Sequence, residues 1–167
     1  MERDLKHAAL TRAQGLPFVS SWAFVMGLVT SFSLVVVDVS GSEQEEALAA
    51  LSESVSKAES CASVVKQNPV GDCAENADSS VESLTKSVKE LGLVGKDSSP
   101  MHLSNVQTWV STALTDLDTC LEGLDGPKVD GKLKGAVTPK VLEASQAIKK
   151  ALALVNAFAS KQKTPMS

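Results

Sequence analysis

Apolar residues recur along this chain at alternating steps of three and four, most cleanly at Val106, Val110, Ala113, Leu117, Cys120 and Leu124. That spacing keeps one face of an α-helix apolar from end to end and turns Cys120 inward. Ser104-Asn105-Val106-Gln107 reads as a capping box that opens this helix, and Gly123 with Gly126-Pro127 closes it. Three further stripes accompany it. Leu48, Leu51, Val55, Ala58, Ala62 and Val65 form one, opened by Ser42-Glu43-Gln44-Glu45 and closed by Asn68-Pro69. Cys73, Ala77, Val81, Leu84, Val88 and Leu91 form the next, stopped by Gly92 and a loop from Gly95 to Pro100. Leu133, Val137, Val141, Ala144, Ile148, Leu152 and Val155 form the last, with Pro139 early enough to be a helix start or a kink. Four amphipathic helices joined by short loops predict an all-α, up-down-up-down four-helix bundle. No stretch after residue 42 reads as a strand.

Composition agrees with packed helices. Of 167 residues only 4% are aromatic and none is tyrosine, so the core is built from small and aliphatic side chains. The length is that of one domain. A net charge of -4 excludes a generic nucleic-acid surface, which needs clustered Lys and Arg.

The N-terminus is a different material. Residues 16–37 carry no charge, Arg3, Lys6 and Arg12 precede them, and Val39-Ser40-Gly41 offers small residues at the offsets of a signal-peptidase site. Residues 1–41 are therefore expected to be an export signal, with an uncleaved membrane anchor as the competing reading. Ser20, Ser21, Thr30, Ser31 and Ser33 dilute the apolar run and favour the signal. Residues 42–167 are expected to form the bundle.

Catalytic chemistry is not in evidence. His7 lies in the presumed leader, and His102 is expected as a solvated loop residue. Asp116 and Asp118, two apart on a helix, point in different directions and do not form a carboxylate pair. No Cys/His set has metal-ligand spacing, no glycine loop suits a phosphate, and no cofactor is expected. Cys73 and Cys120 fall at the same end of an antiparallel helix pair, where they either form a disulfide, as an exported protein would, or stay as two buried thiols. Cys61 is left over. Acidic residues gather on the second helix and at the end of the third: Glu75, Asp78, Glu82, Asp116, Asp118 and Glu122. Such a surface is either a wet face or a place for a basic protein partner.

These residues resemble a known family, the plant pectin methylesterase and invertase inhibitors. The segment from Ser104 through Trp109 and Asp116 to Thr119-Cys120-Leu121-Glu122-Gly123 is similar to the family's hallmark. Asp72-Cys73 followed by Ser80-Val81-Glu82-Ser83-Leu84 resembles the preceding helix, and Ala151-Leu152-Ala153-Leu154-Val155-Asn156 the last. The resemblance implies a secreted, non-catalytic bundle with a disulfide at Cys73 and Cys120. It also implies a protein that caps the active-site cleft of a cell-wall enzyme one to one, using the second and third helices. By motif position the partner-binding residues are Glu75, Glu82, Thr119 and Glu122, while Ser79 stands where an acid is expected. The family's N-terminal hairpin with its own two cysteines has no counterpart before Ser42. The loop before the third helix lacks the Pro-Lys-Phe motif of invertase inhibitors, so pectin methylesterase is the expected partner and acid invertase the alternative. The bundle also occurs as a pro-region of some pectin methylesterases, but a free inhibitor is the expectation. A membrane is a partner only if the leader is uncleaved.

Overall fold

The structure is a computed structural model that describes residues 21–96 and 101–163, with side chains from residue 41 onward. The leader or anchor expected of residues 1–41 falls outside the described residues, except that the backbone of 21–40 is helical. The helices are α1 (Ser21–Gln67), α2 (Cys73–Leu91), α3 (Met101–Leu124) and α4 (Gly131–Lys163), and no strand occurs among the described residues. The chain divides into two compact units, residues 1–37 and 38–167, and the bundle belongs to the second.

Polar contacts fix which helices are neighbours and which way they run. Between α2 and α3, Cys73 is joined to Cys120, Ser80 Oγ donates to the Ala113 carbonyl at 3.0 Å, and Glu90 meets His102. One number falls as the other rises, so the pair is antiparallel. Lys161, Lys150 and Glu143 of α4 meet Glu43, Glu53 and Lys57 of α1 in the same inverted order. Gln44 of α1 donates to the carbonyls of Leu91 and Val94, and Lys66 pairs with Asp78 of α2. Gln107 of α3 donates to Asn156 of α4 at 2.6 Å. Each helix has two neighbours, which closes the up-down-up-down bundle.

The predicted stripe of α3 is buried throughout. On α1 and α2 the buried face is rotated slightly from the larger residues toward small ones: Ala47, Ala50, Ser54 and Cys61 are buried, and Leu48 and Val55 only half so. Likewise Ser80 and Ser87 are buried where Val81 and Val88 were expected. Small residues let neighbouring backbones approach, and each serine removes its polarity by donating to a carbonyl: Ser54 to Ala50, Ser87 to Ser83, Ser80 across to Ala113.

Three predicted helix starts move. α1 runs through Ser42, so Ser42-Glu45 is not its cap. α3 begins at Met101 rather than Ser104, which places His102 on the helix. α4 begins at Gly131 and runs through Pro139. The carbonyl that loses its donor to Pro139 is that of Gly135, an exposed residue, so it is not left buried without a partner. The stops hold: α1 ends before Asn68-Pro69, α2 before Gly92, and α3 at Leu124 within the Gly123 to Pro127 turn. Gly71, at φ 46, makes the left-handed turn that reverses the chain between α1 and α2 and sets Cys73 at a helix start.

A candidate partner-binding face around a buried disulfide

Cys73 opens α2 and Cys120 lies one turn before the end of α3, so antiparallel packing brings their Cα atoms within 4.6 Å, joined as a disulfide. The bond is buried, with the two residues 2% and 1% exposed. Around it the helices turn polar residues outward. Glu75 and Glu82, seven residues apart, stack on the outer face of α2 about 10 Å from each other along the axis. Thr119 and Glu122 are exposed on the outer face of α3. With Ser80 level with Ala113, Glu75 and Thr119 share the disulfide end, Glu122 extends beyond it, and Glu82 lies two turns away, level with Ser111.

Their electrostatics differ. Glu82 is paired to Lys86 at 2.6 Å, and that hydrogen bond, then the lysine's charge, holds its carboxyl below the usual range. Both side chains are more than half exposed, so the pair contributes little to stability. Neither Glu75 nor Glu122 has a lysine partner among the described residues. Asp78 leaves the group, because it turns toward α1 and pairs with Lys66 at 2.8 Å.

His102 corrects the expectation of a solvated loop residue. It is 9% exposed, its Nδ1 lies 2.9 Å from Glu90 Oε1, and Asn105 Nδ2 donates to the same oxygen at 2.7 Å. This cluster ties the end of α2 to the start of α3 at the pole away from the disulfide. The sequence held the signal, since His102 stands four residues before Val106 on the same stripe.

The face also holds a feature that sequence reading passed over. Ser104, Gln107, Thr108, Ser111, Thr112, Thr115 and Asp116 form an open, hydroxyl-rich stripe along the outer side of α3. A hollow of about 440 Å³ lies at the disulfide end between Pro69-Val70-Gly71 and the turn from Gly123 to Leu133.

Cys61 is a free, buried thiol of α1 whose surroundings push its pKa up to about 11. Burial is the cause, opposed by the charge of Lys140. Because the folded value lies above the ordinary value of 9.0, this group favours the fold below pH 9, and that contribution is lost as pH rises toward 11. Cys61 is therefore expected to resist an aromatic disulfide reagent at neutral pH in the native protein and to react fully in denaturant. Rapid native labelling would place the thiol at the surface.

Among the described residues no group of His, Cys, Asp or Glu is arranged to hold a metal, and no helix is long and apolar enough to cross a membrane. What the described residues do show is a disulfide-pinned helical bundle with acidic and hydroxyl side chains on its outer faces. The chain matches the model of the plant invertase/pectin methylesterase inhibitor family over residues 27–154, and it belongs to that family. It is 41% identical over 96 residues to pectinesterase inhibitor 11 of Arabidopsis thaliana, covering 55% of this chain and 48% of the relative. It is 44% identical over 97 residues to pectinesterase inhibitor 9 of the same plant, covering 56% and 48%. The 21 kDa protein of Daucus carota is 39% identical over 97 residues, covering 56% and 50%. The chain thus spans about half the length of these relatives. No solved structure matches it.

Proposed function

We propose that this chain is a secreted, non-catalytic inhibitor that covers the active-site cleft of a pectin methylesterase in a one-to-one complex. Residues 1–41 act as its export leader, residues 42–167 as the inhibitor bundle, and the outer faces of α2 and α3 as the docking surface. The relatives named as pectinesterase inhibitors support the target. The observation that carries the docking surface is the grouping of exposed polar side chains around the buried disulfide. Glu75, Thr119 and Glu122 stand exposed together at that end, Glu82 lies two turns along the same face of α2, and neither Glu75 nor Glu122 is neutralised by a lysine among the described residues. Charges left unpaired on a rigid scaffold are available to a partner's cations, where they set orientation and association rate.

The test is a titration of the purified, oxidised protein into a plant pectin methylesterase while released acid is followed, with an acid invertase in parallel. Inhibition of the esterase that saturates at one equivalent is expected, and undiminished activity across acid to neutral pH overturns the reading. Reversing Glu75 and Glu122 to lysine is expected to weaken inhibition at least about tenfold, equivalent to ~1.4 kcal/mol. Reversing the equally exposed Glu45 and Glu46 of α1 should leave it near the starting value. Equal losses from the two pairs would put the docking surface elsewhere.

A further inference from the structure

Charge is spread unevenly over the bundle. The net charge of the chain is -4, yet α4 carries seven lysines against a single acid, Glu143, and that acid is held by Lys57 and Lys140. From Ala144 to Lys163 the helix contains no acid at all. The lysines of this half fall into two rows. Lys149 and Lys163 stand two heptads apart with Asn156 midway between them, and Asn156 accepts from Gln107, so this row follows the α3 edge of the helix for about 21 Å. Lys150 and Lys161, three turns apart, follow the α1 edge, where they meet Glu53 at 3.7 Å and Glu43. Between the rows the outermost line is Gln146, Ala153 and Ser160, all exposed and none charged.

The two rows are differently answered. Lys149 and Lys163 have no acidic partner among the described residues, and across the seam Met101 to Thr115 of α3 contain no acid. Lys150 and Lys161 are paired, but their side chains are 66% and 62% exposed, so those pairs contribute little and exchange readily for another anion.

We propose that this outer face of α4 binds a linear polyuronate, the de-esterified form of pectin, with its carboxylates on the two lysine rows and its sugar rings over the uncharged line between them. The choice of polymer rests on the proposed inhibition of a pectin methylesterase, which hydrolyses neutral methyl esters to carboxylates and methanol; the face itself rests on the charge of α4. An ammonium is a compact charge on a flexible stem, and it holds a carboxylate without demanding one direction of approach. Such groups suit a repeating polymer better than one ligand of fixed shape. Gln146 and Ser160 offer hydrogen-bonding groups for sugar hydroxyls, and Ala153 leaves the track between them flat. Because α4 has α1 and α3 as its neighbours, it lies diagonally across the bundle from α2. A polymer on α4 therefore leaves Glu75 and Glu82 uncovered, and the protein holds the product of the enzyme it blocks.

The test uses the full oxidised protein with no esterase present. Polygalacturonate, the same polymer fully methyl-esterified, and polyglutamate of matched charge are each titrated while binding is followed by calorimetry and by backbone amide resonances. Polygalacturonate is expected to bind, to shift residues 142–163, and to lose affinity steeply as salt is raised, whereas the methyl ester does not bind. Lys149→Gln combined with Lys163→Gln is expected to weaken binding at least about tenfold, equivalent to ~1.4 kcal/mol. Lys66→Gln combined with Lys89→Gln removes the same charge from exposed positions of α1 and α2 and should leave the affinity near its starting value. Unchanged melting temperatures verify the fold of both double variants. No binding to polygalacturonate, equal binding to its methyl ester or to polyglutamate, or equal losses from the two lysine pairs overturns the proposal. A protein that binds the polymer but fails to inhibit loses the esterase reading and keeps the α4 face; one that inhibits without binding the polymer loses only the face.

Discussion

Replacing Cys73 and Cys120 together by alanine is expected to cost about 4 kcal/mol of stability, the chain entropy released when a loop of this span is opened. The two cysteines are 47 positions apart, and their bond joins the first turn of α2 to the last turns of α3. At the other pole the same two helices are held by Glu90 with His102 and Asn105, so the hairpin is clamped at both ends. Removing one clamp frees the end at which Glu75, Thr119 and Glu122 are exposed, and the inhibition proposed above should decline with stability. Urea unfolding of the double variant and of the unaltered protein under reductant measures the cost. A loss below about 1 kcal/mol in both would show that packing alone holds the pair.

Leu117→Ala is expected to cost about 3 kcal/mol, from lost burial and the cavity left behind. Leu117 is 0% exposed on the stripe of α3, among side chains that already pack to closure. Leu142→Ala is its control: that leucine is 44% exposed on α4, and its truncation should change stability by less than about 0.5 kcal/mol. Thermal or urea midpoints of the two variants give the comparison directly, and similar losses would contradict the placement of α3 in the core.

The sequence made the bundle legible because periodicity records which face is buried, and α3 shows it without exception. It was less informative where burial depends on a neighbour. Ser80 is buried because Ala113 supplies a carbonyl across the interface, and Cys61 is buried because α1 turns its small residues inward. Neither fact is written in the local pattern. The helix starts were misread for a related reason: a capping box is a local preference, and at Ser42 and Ser104 the helices continue through it. The disulfide was within reach once α2 and α3 were taken as antiparallel. The outward placement of Glu75, Glu82, Thr119 and Glu122 followed from their positions between the buried ones. The backbone bonds of Thr108, Thr112, Thr115 and Thr119 were beyond reach, since they depend on where each threonine sends its proton.

The position of the helix ends has a practical meaning. Glu43 and Lys161 meet at one pole of the bundle, while the disulfide closes the other, some 40 Å away along α1 from Gly41 to Gln67. Both ends of the described bundle thus serve as handles on the same side. Immobilising the protein through either of them holds the Cys73–Cys120 pole outward, so a sensor surface or a fused carrier joined there leaves that pole open to solution.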